Sequence, residues 1–341
     1  MSIGRAINMT KRTATIVDVA RAVGVSPSTV SHAISGKREI SEPVKERIFK
    51  KIRELDYRPS FYAQALKSNS TRLIGVAVNE CRNPSAASFL DCLAEKLEKF
   101  SYKPVAAITG LNHEKGEEML RRLSTGMVDG IINLLPQIEP EEAEKLCGGI
   151  PVVTNLREPS FPVHLGYDQL TRDILEHLWS NGHRDIGYIP SETRMFGCPD
   201  STVPVMRRFL EEHGVEFDPE LVEGGDDSIR GGLAAMDAIC RRRKVTAVFC
   251  GNDQMAFGVY RWAYEHGLNV PDDLSVVGYD DVPQAATIIP PLTTARFPLD
   301  TVVEHTVNLL IAKLEKRPLP SGAINLKLEL VVRKSVSDIN Q

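Results

Sequence analysis

From residue 72 to the mid-330s the chain repeats one grammar: a short apolar run, an amphipathic stretch, then another run. The runs are LIGVAV (73–78), VAAIT (105–109), VDGIINLL (128–135), PVVTN (151–155), IGYI (186–189), TAVFC (246–250) and LSVVGYD (274–280). Between them apolar residues recur at helical spacing, as Phe89, Leu93, Leu97 and Phe100 do after the first. Strands that are apolar throughout are buried on both faces, which points to parallel sheets covered by helices on each side. Residues 72–335 are therefore expected to form an α/β body too long for a single sheet of this kind, with 336–341 as a tail.

The first 58 residues follow a different pattern. In TIVDVARAVGVSPSTVSHAIS (15–35), Ile16, Val19, Ala20 and Val23 mark a short amphipathic helix that Gly24 ends. Ser26 stands where an N-cap is wanted and Pro27 at the first helical position. The second helix buries Val30 and Ala33 and leaves Ser28, Thr29, Ser31 and His32 on its other face. Two short helices around a Gly-containing turn form a helix-turn-helix, which reads DNA with the start of its second helix in the major groove. A third helix begins at Ser41 with the stripe Val44, Ile48, Ile52 and Leu55, closing a miniature core over 14–58. Tyr57-Arg58-Pro59 stops it, and 59–71 reads as a linker too short to hold a helix alone.

Charge supports that reading. Of 41 Lys and Arg, 14 lie in the first 72 residues beside 6 of the 45 Asp and Glu, a net of +8. The remainder carries 27 basic and 39 acidic residues, a net of −12. A basic end on an acidic body is the distribution of a nucleic-acid-binding head. No apolar run is long enough for a membrane span, and MSIGRAINMTKRT lacks a secretory core, so 1–13 reads as a disordered basic lead-in to a cytoplasmic protein. The six cysteines (81, 92, 147, 198, 240 and 250) show no C-x-x-C spacing, which favours reduced thiols over zinc or disulfides, with Cys81 and Cys198 as the two in loop-like surroundings.

D-V-A-x-x-x-G-V-S-x-x-T-V-S (18–31), Y-x-P (57–59) and A-x-x-L (63–66) closely resemble the lactose-repressor family of bacterial transcription regulators. The likeness continues through GHRDIGYI, GNDQMAFG, LSVVGYDD and PPLTT, and so covers about 14–335. It implies a body of two doubly wound parallel-sheet subdomains holding an effector between them, and a homodimer on double-stranded, palindromic operator DNA. Ser26, Pro27, Ser28, Thr29 and His32 occupy recognition positions, while Thr15 and Lys37 are placed to hold phosphates. Residues 60–67 would fold as a hinge helix on DNA, with Ala63 in it and Leu66 wedged into the minor groove. His32 stands where many members carry Arg, and a ring nitrogen cannot form the bidentate fork to guanine.

In sheets of this class ligands bind beyond the C-terminal strand ends. By motif position Asp168, Asn252 and Asp280 match family residues that hydrogen-bond effector hydroxyls, whereas Asp253 reads as a helix cap and Asp281 as a turn tie. The usual Arg clamp falls on Thr202 and the Gly of that pattern on Val205; aromatic positions fall on Ser85 and Asp227. Arg157 and Arg194 are the cations available as replacements. The effector is thus a small molecule, a carbohydrate or derivative among the candidates, unlike the common ones, or the pocket serves a protein partner or no ligand. His183, Trp179 and Trp262 read as packing, and Arg241–Lys244 as a solvated helix end. No P-loop, nucleophile elbow or metal constellation is present. That disfavours an enzyme or cofactor, and the lack of a secretory core disfavours a periplasmic solute-binding protein. Family dimer contacts lie on body helices near the first strand and on the helix at 301–314.

Overall fold

The computed structural model describes residues 14–36, 38–58, 65, 68–154, 163–191, 201–319 and 324–340. The chain divides into two compact units, residues 1–71 and 72–341.

In the first unit, α1 (Ile16–Val23), α2 (Pro27–Ser35) and α3 (Glu42–Glu54) enclose Val19, Ala20, Val23, Val30, Ala33 and Ile48. Both short helices are bounded by local chemistry. Thr15 and Asp18 form a reciprocal capping box at the start of α1, and Gly24 ends it at φ +77°. Ser26 caps α2, its Oγ accepting from the Thr29 N–H at 3.1 Å. The stripe expected for α3 holds at Ile48, Val44 and Ile52, but Leu55 is exposed and Tyr57 packs on the core instead. Arg47 on α3 donates to the Val23 carbonyl at 2.7 Å and so satisfies the open end of α1.

The second unit contains two lobes. In the first, the parallel sheet β2-β1-β3-β4 is built from β1 (Leu73–Val78), β2 (Lys103–Ile108), β3 (Gly130–Asn133) and β4 (Val152–Thr154). It is covered by α4 (Pro84–Glu98), α5 (His113–Leu123) and α6 (Pro140–Cys147). The second lobe has α7 (Tyr167–Ser180), α8 (Thr202–Glu212), α9 (Ile229–Arg242) and α10 (Asp253–Glu265) around a five-stranded sheet. That sheet runs β11-β9-β8-β7-β6, from β6 (Ile186–Ile189), β7 (Ala247–Cys250), β8 (Ser275–Asp280), β9 (Thr293–Arg296) and β11 (Glu329–Val331).

Three findings differ from the pattern read in the sequence. β11 pairs antiparallel with β9, so the second sheet is mixed at its edge. AINLKLELVV (323–332), apolar at every second position as one strand would be, is two: β10 (Ile324–Leu326) pairs in parallel with β5 (Val163–Leu165), and β11 follows separately. β2, expected as a buried run, is an edge strand with Val105 and Ile108 exposed. α11 (Leu299–Leu314) returns to the first lobe, packing on α4, β3 and β4. It buries Val302, Val303, Val307, Leu309, Leu310 and Ile311, each such side chain worth roughly 1.5–3 kcal/mol when removed from water. The apolar stripe of this helix is therefore packed within its own chain.

The chain crosses between lobes three times, after β4, after β9 and after α11, and β5 with β10 ties two of those crossings together. Residues 336–340, expected as a tail, belong to the second lobe. The Ser337 carbonyl meets His183 Nε2 at 3.2 Å, and the Ile339 N–H donates to the Asn181 carbonyl at 2.9 Å.

Candidate nucleic-acid interface and effector cleft

On the head, the first turn of α2 presents Pro27 and Ser28 to solvent, with Thr29, Ser31 and His32 half-buried beside them. Ser26 Oγ lies 2.7 Å from Ser28 Oγ and 2.8 Å from Thr29 Oγ1, so three hydroxyls form one connected cluster at the helix start. Such a hydroxyl cluster at a helix N-terminus suits phosphate oxygens and base edges. Thr15, expected to hold a phosphate, also has a structural duty: its N–H and hydroxyl both donate to Asp18 Oδ2, at 2.9 and 2.7 Å. Lys37, Ala63 and Leu66 lie outside the described residues.

In the body, the loops beyond the C-terminal ends of β1, β7 and β8 carry the described residues that matter here. The loop after β1 carries Asn79, Glu80, Arg82 and Asn83. Asn83 caps α4, its Oδ1 accepting from the Ser85 N–H at 3.0 Å. That leaves the Asn83 amide nitrogen to reach across to the second lobe, where it donates to Asp280 Oδ2 at 3.0 Å. Ser85 therefore contributes its backbone to the cap rather than a stacking face. Arg82 pairs with Glu80 at 2.5 Å.

The GNDQ motif has mainly structural duties. Asn252, expected to hold effector hydroxyls, is 3% exposed. Its Oδ1 accepts from the Met255 N–H at 2.8 Å, and its Nδ2 donates to Asp227 Oδ1 at 3.1 Å. Both ends are thus committed inside the protein, and Asn252 rather than Asp253 is the cap of α10. Asp253 is fully buried and accepts from the Val282 N–H at 2.9 Å and the Thr294 hydroxyl at 2.6 Å. Burial first, and then the charge of Asp280, push its carboxyl well above the usual carboxylate range. Gly278 makes room for this side chain, since a Cβ there would lie 2.2 Å from Asp253 Oδ1.

Asp281 ties the turn through Arg296 at 2.7 Å and Arg333 at 2.5 Å. Asp280 and Asp281 both sit at positive φ, +115° and +54°, a conformation that non-glycine residues adopt at a cost and that clusters at functional sites. Asp168 opens α7 and accepts from the Ser201 hydroxyl at 2.5 Å, with Arg208 3.7 Å away. Thr202 is 1% exposed at the start of α8, and Asp227 is turned inward onto Asn252. The structure thus brings Asn83 and Asp280 together across the cleft and Asp227 and Asn252 together within one lobe. Asp168 stays with α8 at the surface.

A cavity of about 40 Å³ lies behind the cross-lobe contact, lined by Val78, Asn79, Asn83, Ala86, Phe89 and Leu134. Asn79 Oδ1 is buried there without a hydrogen-bond partner among the described residues. Asn79 and Asn83 lie in the loop beyond the first strand, a place the strand-end rule marks for ligands, but neither stands out until the β1 loop is placed against β8. Arg157 and Arg194 lie outside the described residues, as does Cys198. Burial, with Glu80 adding to it, raises the Cys81 thiol, so this cysteine is not primed as a thiolate. Arg241, Arg242 and Arg243 pair with Asp237, Glu223 and Asp218, which occupies most of that basic run.

Comparison with known proteins agrees with both units. Residues 15–60 match the model of bacterial regulatory proteins of the lacI family, and 175–336 match a periplasmic binding protein-like domain. The HTH-type transcriptional repressor PurR of Vibrio campbellii is 32% identical over 333 residues, covering 96% of this chain and all of the relative. PurR of Mannheimia succiniciproducens is 31% identical, covering 96% and 99%. Among solved structures, the lac repressor dimer bound to operator and the anti-inducer ONPF superposes with a TM-score of 0.78 at 26% identity, over 96% of this chain and 100% of that one. The transcriptional regulator CelR in complex with cellobiose gives 0.67 at 26% identity, over 94% and 99%. The helix-turn-helix head, the two-lobed body and full-length relatives on both counts place this chain in the lacI family of bacterial regulatory proteins.

Proposed function

We propose that this protein represses transcription by gripping a palindromic operator as a homodimer, each head supplying one half-site, and that it acts by binding rather than by turnover. The observation that carries this reading is the exposed, Ser26-capped first turn of α2 in a head of net charge +8. Pro27, Ser28, Thr29 and His32 read base edges, Lys37 adds phosphate contact, and Leu66 with Ala63 enters the minor groove at the operator centre. Thr15 caps α1 and, with Lys37, stands where a phosphate is held.

A small molecule between the two lobes changes the relation of the two heads by preferring one lobe arrangement. Asp280 and Asn79 are the groups best placed to meet it, and the absence of an arginine at Thr202 or an aromatic at Ser85 and Asp227 separates this effector from stacked or doubly clamped ones. Dimerisation is served by β2: an exposed edge strand with Val105 and Ile108 outward is a ready pairing surface.

Selection of bound duplexes from a random pool tests the reading. A two-fold symmetric site is expected, with affinity falling roughly a thousandfold between 50 and 200 mM salt. Leu66→Ala is expected to weaken that site far more than nonspecific duplex. Absence of any enriched site overturns the operator reading, and equal loss on both duplexes overturns the wedge.

A further inference from the structure

We infer that Asn83 and Asp280 form a latch that closes the two lobes without a ligand, and that an effector must part this pair to enter. The two residues are 197 positions apart and sit on different lobes, yet their side chains meet at 3.0 Å. The geometry is directed from both sides. On the first lobe, Asn83 Oδ1 is already used by the Ser85 N–H, so only the amide nitrogen is left to face the cleft. On the second, Asp280 is held at φ +115° at the end of β8, a conformation that persists in a non-glycine residue only where surroundings impose it.

Behind the pair, the cavity of about 40 Å³ has space for a water or two. The pair thus joins the lobes through the protein's own donor and acceptor, in front of the apolar wall of Val78, Phe89 and Leu134. The three chain crossings, tied by the short β5–β10 ladder, leave the lobes free to separate without breaking either main sheet.

Asn83→Asp tests this, because aspartate caps a helix as well as asparagine does but sets a carboxylate against Asp280. In the full-length protein, backbone amide exchange of residues 79–86 and 279–283 is expected to quicken about tenfold, the effect of losing one hydrogen bond to a charged group. The reciprocal exchange Asn83→Asp with Asp280→Asn reverses donor and acceptor, and is expected to return the rates close to those of the unsubstituted protein. Unchanged exchange in Asn83→Asp overturns the latch, and so does a double variant as fast as the single one. Should Asn83→Asp loosen the whole body, the double variant still decides, since only a remade pair restores protection. The measurement needs neither DNA nor ligand, so its failure leaves the operator reading standing.

Discussion

Single residues set the edges of the structural elements here. Ser26 ends a turn, starts a helix and anchors a hydroxyl cluster with one oxygen. Ser26→Ala is expected to destabilise the head by about 1 kcal/mol, read as a lower urea midpoint for its unfolding. His183 is 1% exposed, its ring between Thr246 and the Ser337 carbonyl. Burial pulls its imidazole below the usual range. With the folded value depressed, the stabilisation is fully present above the unfolded value of about 6.5 and is lost as pH falls through the folded one. The urea midpoint of the body is therefore expected to drop between pH 8 and 5, and His183→Gln is expected to flatten part of that drop. An identical pH slope in the variant removes His183 as its source. Asn252 shows the limit of motif reasoning at this scale. Its position in GNDQ resembles a ligand contact, but its neighbour Asp227 turns inward at φ +60° and occupies it, and no local pattern announces that pairing.

At the scale of elements, what was legible followed from period and punctuation. The helices of the head could be read because Thr15, Gly24, Ser26 and Pro27 mark their boundaries locally, and the inner strands because uninterrupted apolar runs have no other place to lie. What was not legible depends on neighbours distant in sequence. β2 reads as a buried run, yet its place at the sheet edge exposes Val105 and Ile108. β10 and β11 read as one strand because each is short and they follow at once, yet they pair with different partners. α11 reads as an apolar helix, but that its wide apolar surface packs on the first lobe depends on where the chain returns. The exposed edge carries its own expectation. Ile108→Lys puts a charge on the pairing face and should weaken dimerisation about tenfold or more, measured by sedimentation at graded concentrations. An unaltered dimer constant moves the interface elsewhere.

For the whole molecule, the distribution of work between the units was visible from charge alone, while the state of the cleft was not. The acidic body and basic head follow from counting. That the lobes meet through Asn83 and Asp280 requires knowing which loop faces which strand end. The same holds for the final residues. Ser335 donates to the Val276 carbonyl and accepts from the Thr293 N–H, Ser337 holds His183, and Asn340 reaches the Ser180 carbonyl. Residues 335–340 work as a suture drawn through the rear of the lobe: a protease cutting ahead of them would strip partners from three separate elements at once.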